Sequence, residues 1–425
     1  LLGLLVIIGS GMILLTSAAG SDWLPGRWTT GAALAVWLLP YMLFICLAAI
    51  LSAGLNLVGR FAVAASTPIL LNLAMIAALT AGLWLNADAA RIVYWLCGGV
   101  LVGGCLQLLL PAIDLMRQGW RPRVESAGGA ALAELWQLFL PGLLGAAILQ
   151  VNILVSRLLA YSLDESAVSV LYLASRLMEL PLGVFTIAVA TVFFPLLAKA
   201  LSTGDEAGFS TAFLQGLRLV IGISLPAGVG LYVLGEPIIE LLFFWGAFGR
   251  ADVMATVPLL AIYGIGLPFY SAATFATRGL HASKDMRTPV RVAGYCLLIN
   301  FSAGLLLMQF WGACGLATAN VLAAIAQSYL LWRALSARHA ALSFCAMRLA
   351  LAKLLLAGAV MGAVCAITSR WLNAFGFAEK LDAALAVAVC VPGGVCVYFA
   401  LLYLLRFKEL DALKALLLRY FPKSK

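Results

Sequence analysis

The chain has 425 residues, of which 64% are hydrophobic and 11% charged, with a mean hydropathy of +1.06 and a net charge of +9. A soluble domain is about half apolar and a quarter charged, so a water-soluble enzyme or receptor domain is excluded and the chain reads as an all-α polytopic membrane protein. The basic excess sits in short loops between apolar runs, which excludes a nucleic-acid face and points to membrane topology and contact with anionic lipids.

Apolar runs bounded by charges, Gly or Pro predict twelve spans, beginning with 1–18, 30–57, 67–86 and 92–115. The run 1–18 opens on Leu1 with neither a starting Met nor a basic leader, so it is read as a span cut open by truncation. A basic segment with Arg117, Arg121 and Arg123 follows, then spans at 133–160 and 166–198. The next spans are 211–234, 252–280, 289–309, 313–333, 347–369 and 382–405, before a basic tail at 406–425. Residues 235–251 are too short and too charged to cross and read as interfacial. Placing residue 1 in the cytoplasm puts seventeen of the 27 Lys and Arg on the cytoplasmic side and five outside, which predicts that both ends of the chain are cytoplasmic. The outer five are Arg27, Arg91, Arg250, Arg370 and Lys380.

Two landmarks recur. Gly54-Leu-Asn with Thr67-Pro68 is echoed by Gly279-Leu-His with Thr288-Pro289, and Gln107 by Gln327, at offsets of 221 and 220 residues. Both Thr-Pro pairs start a span from the same side, so the repeat is parallel. The expected organisation is a four-span remainder of a first lobe at 1–116, a cytoplasmic linker at 117–131, a six-span second lobe at 132–335, two additional spans in 336–405 and the tail. Subtracting the offset places the partners of spans 133–160 and 166–198 upstream of Leu1, so the first two helices of that lobe are expected to be missing.

Nine cysteines scattered singly and two histidines in loops form no metal or disulfide pattern, and the histidines read as solvated surface residues. No phosphate loop, HExxH, GxSxG elbow or paired Asp occurs. No cofactor, no metal and no enzymatic activity are therefore expected, and a transporter would draw on an ion gradient, the membrane potential or its substrate's gradient.

Arg176 and Glu179 stand out inside the run Ser166–Ala198, with Arg176 roughly 15 Å deep at about 1.5 Å per residue. Charge at that depth requires a partner or a wet cavity. Their i, i+3 spacing allows a self-neutralised pair, while a guanidinium facing a cavity would take phosphate or carboxylate bidentately. Gln150, Asn152 and Ser156 in the preceding span look too widely set to define one site and read as interhelical hydrogen-bonding residues. Asn300 reads equally as an ion-site residue or as an interhelical tie.

The string Tyr172-Leu-Ala-Ser-Arg-Leu-Met-Glu-Leu-Pro-Leu-Gly183, with Thr191-Val-Phe-Phe-Pro195, Leu242-Phe-Phe-Trp-Gly-Ala-Phe248 and Lys284-Asp-Met-Arg-Thr-Pro289, resembles the MurJ/MviN family of bacterial lipid II flippases. The resemblance implies a MATE-like bundle of two six-helix lobes around a cationic cavity, with two final helices forming an apolar groove for the lipid tail. It implies alternating-access movement of undecaprenyl-diphosphate-linked peptidoglycan precursor (lipid II) across the inner membrane. It assigns Arg176 to the diphosphate, with Glu179 as its neighbouring acid. Ser175 departs from the family's usual Asp beside the Arg. A sodium site known in some members would correspond to Ser156 and Asn300 with Gly304, without its carboxylates. A monomer is expected, with membrane lipids and cell-wall synthesis proteins as further partners. The alternatives are an organic-cation antiporter of the same fold, which would want an anionic cavity, and a non-transporting scaffold docking cell-wall enzymes on the two final spans.

Overall fold

The computed structural model describes residues 26–121, 147–148, 150–163, 166–339, 341–343, 345–375, 379–407 and 409–410. The span expected at 1–18, residues 133–146, most of the linker and the tail from 411 lie outside them. Among the described residues the regular structure is helical, and nine helices are long and apolar enough to cross a membrane. Helices satisfy their own backbone hydrogen bonds, which lipid cannot do. The chain divides into two compact units, residues 1–129 and 130–425.

The first unit contains α1 (Gly26–Leu57), α2 (Phe61–Trp84) and α3 (Ala89–Arg117). Asp88 caps α3 by accepting from the Arg91 amide at 3.1 Å. A Cβ on Gly99 would stand 2.7 Å from Ala78, and one on Gly104 would stand 2.6 Å from the Tyr41 ring. Glycines on α3 thus let α2 and α1 approach closely, the usual device where no hydrophobic gradient drives helices together. Gln107, 3% exposed, donates to the Thr67 carbonyl at 3.1 Å. Arg60, before α2, grips Asp114 near the end of α3 at 2.8 Å.

The second unit runs through α4 (150–163), α5 (Ala167–Pro181), a π turn at Leu182–Thr186 and α6 (Ile187–Ser202). It continues with α7 (Glu206–Val233), the short α8 (Gly235–Phe243) and α9 (Arg250–Ala282). Then come α10 (Arg287–Arg338), α11 (Cys345–Asn373) and α12 (Glu379–Leu404). Helix α10 is two spans. Gly312, at φ 53° and ψ −128°, breaks it, a conformation that glycine adopts without steric cost. Its ends then meet, with Arg338 2.6 Å from Asp285 just ahead of the helix, so the halves are antiparallel. Asp285 also accepts from the amides of Arg287 and Thr288 at 3.0 Å each, capping the Thr-Pro span. Both units therefore tie the start of a Thr-Pro span to the end of the next helix by a guanidinium–carboxylate pair, with the two charges exchanged between units.

Helices α11 and α12 pack on α7 through Leu225, Leu354, Ala357, Met361, Cys390 and Tyr398, and the Tyr398 hydroxyl donates to the Gly222 carbonyl at 2.9 Å. Beyond α12, Glu409 pairs with Arg218 at 2.7 Å and Lys353 donates to the Leu405 carbonyl at 2.6 Å. Those two basic residues lie inside spans because each binds the segment that follows α12. His339 is a correction to the surface reading. It is 6% exposed, 2.6 Å from Glu206 and in tilted ring contact with Phe209, because it caps α10 where α7 begins.

Candidate functional site

The face of α5 that carries Val170, Leu171, Ala174, Leu177 and Met178 is buried against α9 and the second half of α10. This 3, 4 spacing turns Tyr172, Arg176, Glu179 and Leu180 outward. Arg176 lies nine residues past Ala167, about 14 Å along the helix axis. Its Nη1 donates to Glu179 Oε2 at 2.6 Å, and its Cζ sits 4.8 Å from the Tyr172 ring centroid. The Arg176 and Glu179 side chains remain 52% and 47% exposed. The i, i+3 ion pair of the sequence reading is therefore made, on the open face of the second unit. Ser175 does not hold Arg176; its hydroxyl donates back to the Tyr172 carbonyl at 2.8 Å.

Beneath this face lies a second polar group. Asn300, 3% exposed, donates to Asn152 Oδ1 at 2.7 Å and to Ser156 Oγ at 2.9 Å. Ser156 is 3.5 Å from Asn320 Oδ1, and Asn320 donates to the Leu316 carbonyl at 3.1 Å. Tyr263, 5% exposed, belongs to the buried core packed beside these residues, with Leu316 and Ala317. The expectation that Asn152 and Ser156 are too far apart for one site is thus corrected, since their i, i+4 spacing puts them on one face of α4. Gln150 stays exposed and outside the cluster. Asn320 and Tyr263 were not anticipated; a lone Asn in an apolar span was the available signal. No group of three or more metal-ligating side chains occurs among the described residues, and the cluster's neutral amides and hydroxyls satisfy one another.

Two cavities lie elsewhere in the second unit. An apolar trough of about 1020 Å³ is walled by α7, α9, the second half of α10 and the start of α11, through residues such as Leu217, Tyr232, Phe269, Trp332 and Leu351. This trough is not the apolar groove expected from the final two helices, since α12 contributes none of its lining. A polar pocket of about 500 Å³ gathers Glu236, Glu240, Arg250, Ser369, Arg370 and Asp382 where α8 and the ends of α7, α9, α11 and α12 meet.

The family described as lipid II flippase MurJ matches residues 1–385. The probable lipid II flippase MurJ of Rhizobium meliloti (strain 1021) is 32% identical over 387 residues, covering 89% of this chain and 71% of the relative. The probable lipid II flippase MurJ of Vibrio cholerae serotype O1 is also 32% identical, over 425 residues, covering 96% and 79%. Among solved structures, a lipid II flippase MurJ in an inward closed conformation superposes with a TM-score of 0.74 at 24% identity, over 94% of this chain and 81% of that one. An inward-facing multidrug resistance MATE family transporter of the MOP superfamily superposes at 0.66 and 14% identity, over 80% and 79%. At these identities the two structures show a shared fold.

Proposed function

The chain belongs to the lipid II flippase MurJ family, and on that premise we propose that it moves lipid II from the inner to the outer leaflet of the bacterial inner membrane by alternating access, with Arg176 engaging the diphosphate. The observation that carries the assignment is the state of Arg176. It lies deep within a span yet half-exposed, its guanidinium tethered to Glu179 by one hydrogen bond and resting on Tyr172. A guanidinium has five N–H donors in a fixed fork, so most remain available for a diphosphate, which it grips bidentately. Glu179 neutralises the arginine when no substrate is present, which lowers the cost of an unpaired charge at that depth. Substrate oxygens then compete with the carboxylate, and release restores the pair. An organic-cation site would need the opposite sign on this face. Basic-residue counts put both ends of the chain on the cytoplasmic side.

The test is complementation of cells depleted of their own flippase, with membrane abundance of each variant measured alongside. Arg176→Ala should abolish rescue. Arg176→Lys should rescue weakly, because an ammonium replaces the fork by a point charge. Full rescue by Arg176→Ala at normal abundance would overturn the assignment.

A further inference from the structure

We propose that the polar pocket beside α8 binds the head group of a zwitterionic aminophospholipid, with Arg370 taking the phosphate and Asp382 the primary ammonium. The site is separate from the Arg176 face and plays no part in the function proposed above.

Position is the first argument. The pocket is built from helix ends: the end of α7 with α8, the first residue of α9, the last turns of α11 and the first turn of α12. Helix ends mark the level at which spans leave the hydrocarbon. Tyr232, Trp245, Trp371 and Phe375 stand there 56%, 62%, 62% and 56% exposed, the aromatic signature of the head-group layer. Arg250, Arg370 and Lys380, three of the five basic residues counted on the outer side, gather here, Lys380 lying over the Trp245 ring. The lipid is thus one of the outer leaflet.

Charge is the second. Arg250 is shared between Glu236, at 2.7 Å, and Glu240, leaving two carboxylates on one guanidinium. Asp382 Oδ1 is buried without a hydrogen-bond partner, and neither Asp382 nor Arg370 forms an ion pair among the described residues. Leaving such a buried acceptor unmatched is costly. A ligand that answers both groups carries an anion and an N–H-bearing cation a few bonds apart. A phosphoethanolamine head does so, whereas a phosphoglycerol head lacks the ammonium and a choline head lacks the N–H.

Continuity is the third. Tyr232 lines both this pocket and the apolar trough. The trough follows α7 from Leu217 to Tyr232, fifteen residues or about 22 Å at 1.5 Å each, a length suited to an acyl chain entering past Tyr232. A free zwitterion would use only the polar end.

Native mass spectrometry of the purified whole chain, offered equimolar phosphatidylethanolamine, phosphatidylglycerol and phosphatidylcholine, tests this. Wild-type protein should retain phosphatidylethanolamine about tenfold over either competitor, the effect of one charge-assisted contact. Asp382→Asn should erase the preference over phosphatidylcholine, and Arg370→Gln should weaken retention of all three. Equal retention of the three lipids by the wild-type chain overturns the proposal without recourse to any variant. So does an unchanged preference in a variant that unfolds at the wild-type temperature. Displacement of the lipid by glycerophosphoethanolamine, or by a short zwitterionic peptide, at equal concentration would show that a free zwitterion is the ligand and would equally overturn it.

Discussion

A close helix crossing in the second unit offers a prediction whose size can be worked out. Helices α7 and α9 meet at Gly228 and Gly264. A Cβ added to Gly228 would stand 2.2 Å from the Gly264 carbonyl oxygen, and one on Gly264 would stand 2.6 Å from that of Gly228. Ordinary contact begins at 3.4 Å, so Gly228→Ala demands about 1.2 Å of movement between two backbones. Backbone cannot swing aside as a flexible side chain can. A radial gap of 0.5–1 Å already forfeits a quarter to a half of each dispersion contact along the crossing, and overpacking of this kind costs about 1–3 kcal/mol. Alanine returns about 1 kcal/mol of helix propensity, leaving a net loss of up to about 2 kcal/mol. Gly230 is the internal control, since it lies two residues away on the same helix with nothing within 4 Å of an added Cβ. Thermal unfolding in detergent should rank Gly228→Ala below wild type and Gly230→Ala at or above it. Equal unfolding temperatures for the two variants would refute the steric reasoning, because propensity acts on both alike.

Asn300→Leu removes the donor to Asn152 and Ser156 and should lower stability by roughly 1 kcal/mol, at about 0.6 kcal/mol per interhelical bond. In a cycle with Asn152→Leu the double variant should lose less than the sum of the singles, and strict additivity in unfolding measurements would show that the pair does not interact. Asp285 gives a pH dependence. Burial pushes its carboxyl up, but the Thr288 hydroxyl and amide, the Arg338 guanidinium and the Arg287 amide outweigh burial and hold it below the usual carboxylate range. The unfolded chain then binds that proton more readily than the folded one, so the stability from Asp285 is complete above the usual range and is lost as pH falls through the depressed value. Unfolding temperatures between about pH 3 and 7 should fall less steeply towards acid for Asp285→Asn than for wild type. Parallel slopes would remove Asp285 from the account.

What could be read without coordinates follows the range of the forces involved. Lipid obliges each span to close its own hydrogen bonds, so hydropathy alone locates the helices, and the i, i+3 pair Arg176–Glu179 is local enough to read directly. The amide cluster is not, because Asn300 meets Asn152 across 148 residues and only the packing of α4 against the α10 hairpin decides that they touch. The aminophospholipid pocket is further still from local pattern, since its charges come from four helix ends and look like ordinary loop residues until those ends converge. The repeat shows where the boundary falls. Thr-Pro recurs as letters, with its Pro at the third residue of α10 but at the eighth of α2, inside the helix. The ion pair that anchors each Thr-Pro span recurs only as geometry, Arg60 with Asp114 in one unit and Asp285 with Arg338 in the other. A salt bridge is indifferent to which helix of the hairpin supplies the cation. The coupling can therefore keep its place while its residues exchange sign, and a comparison by residue identity passes over it.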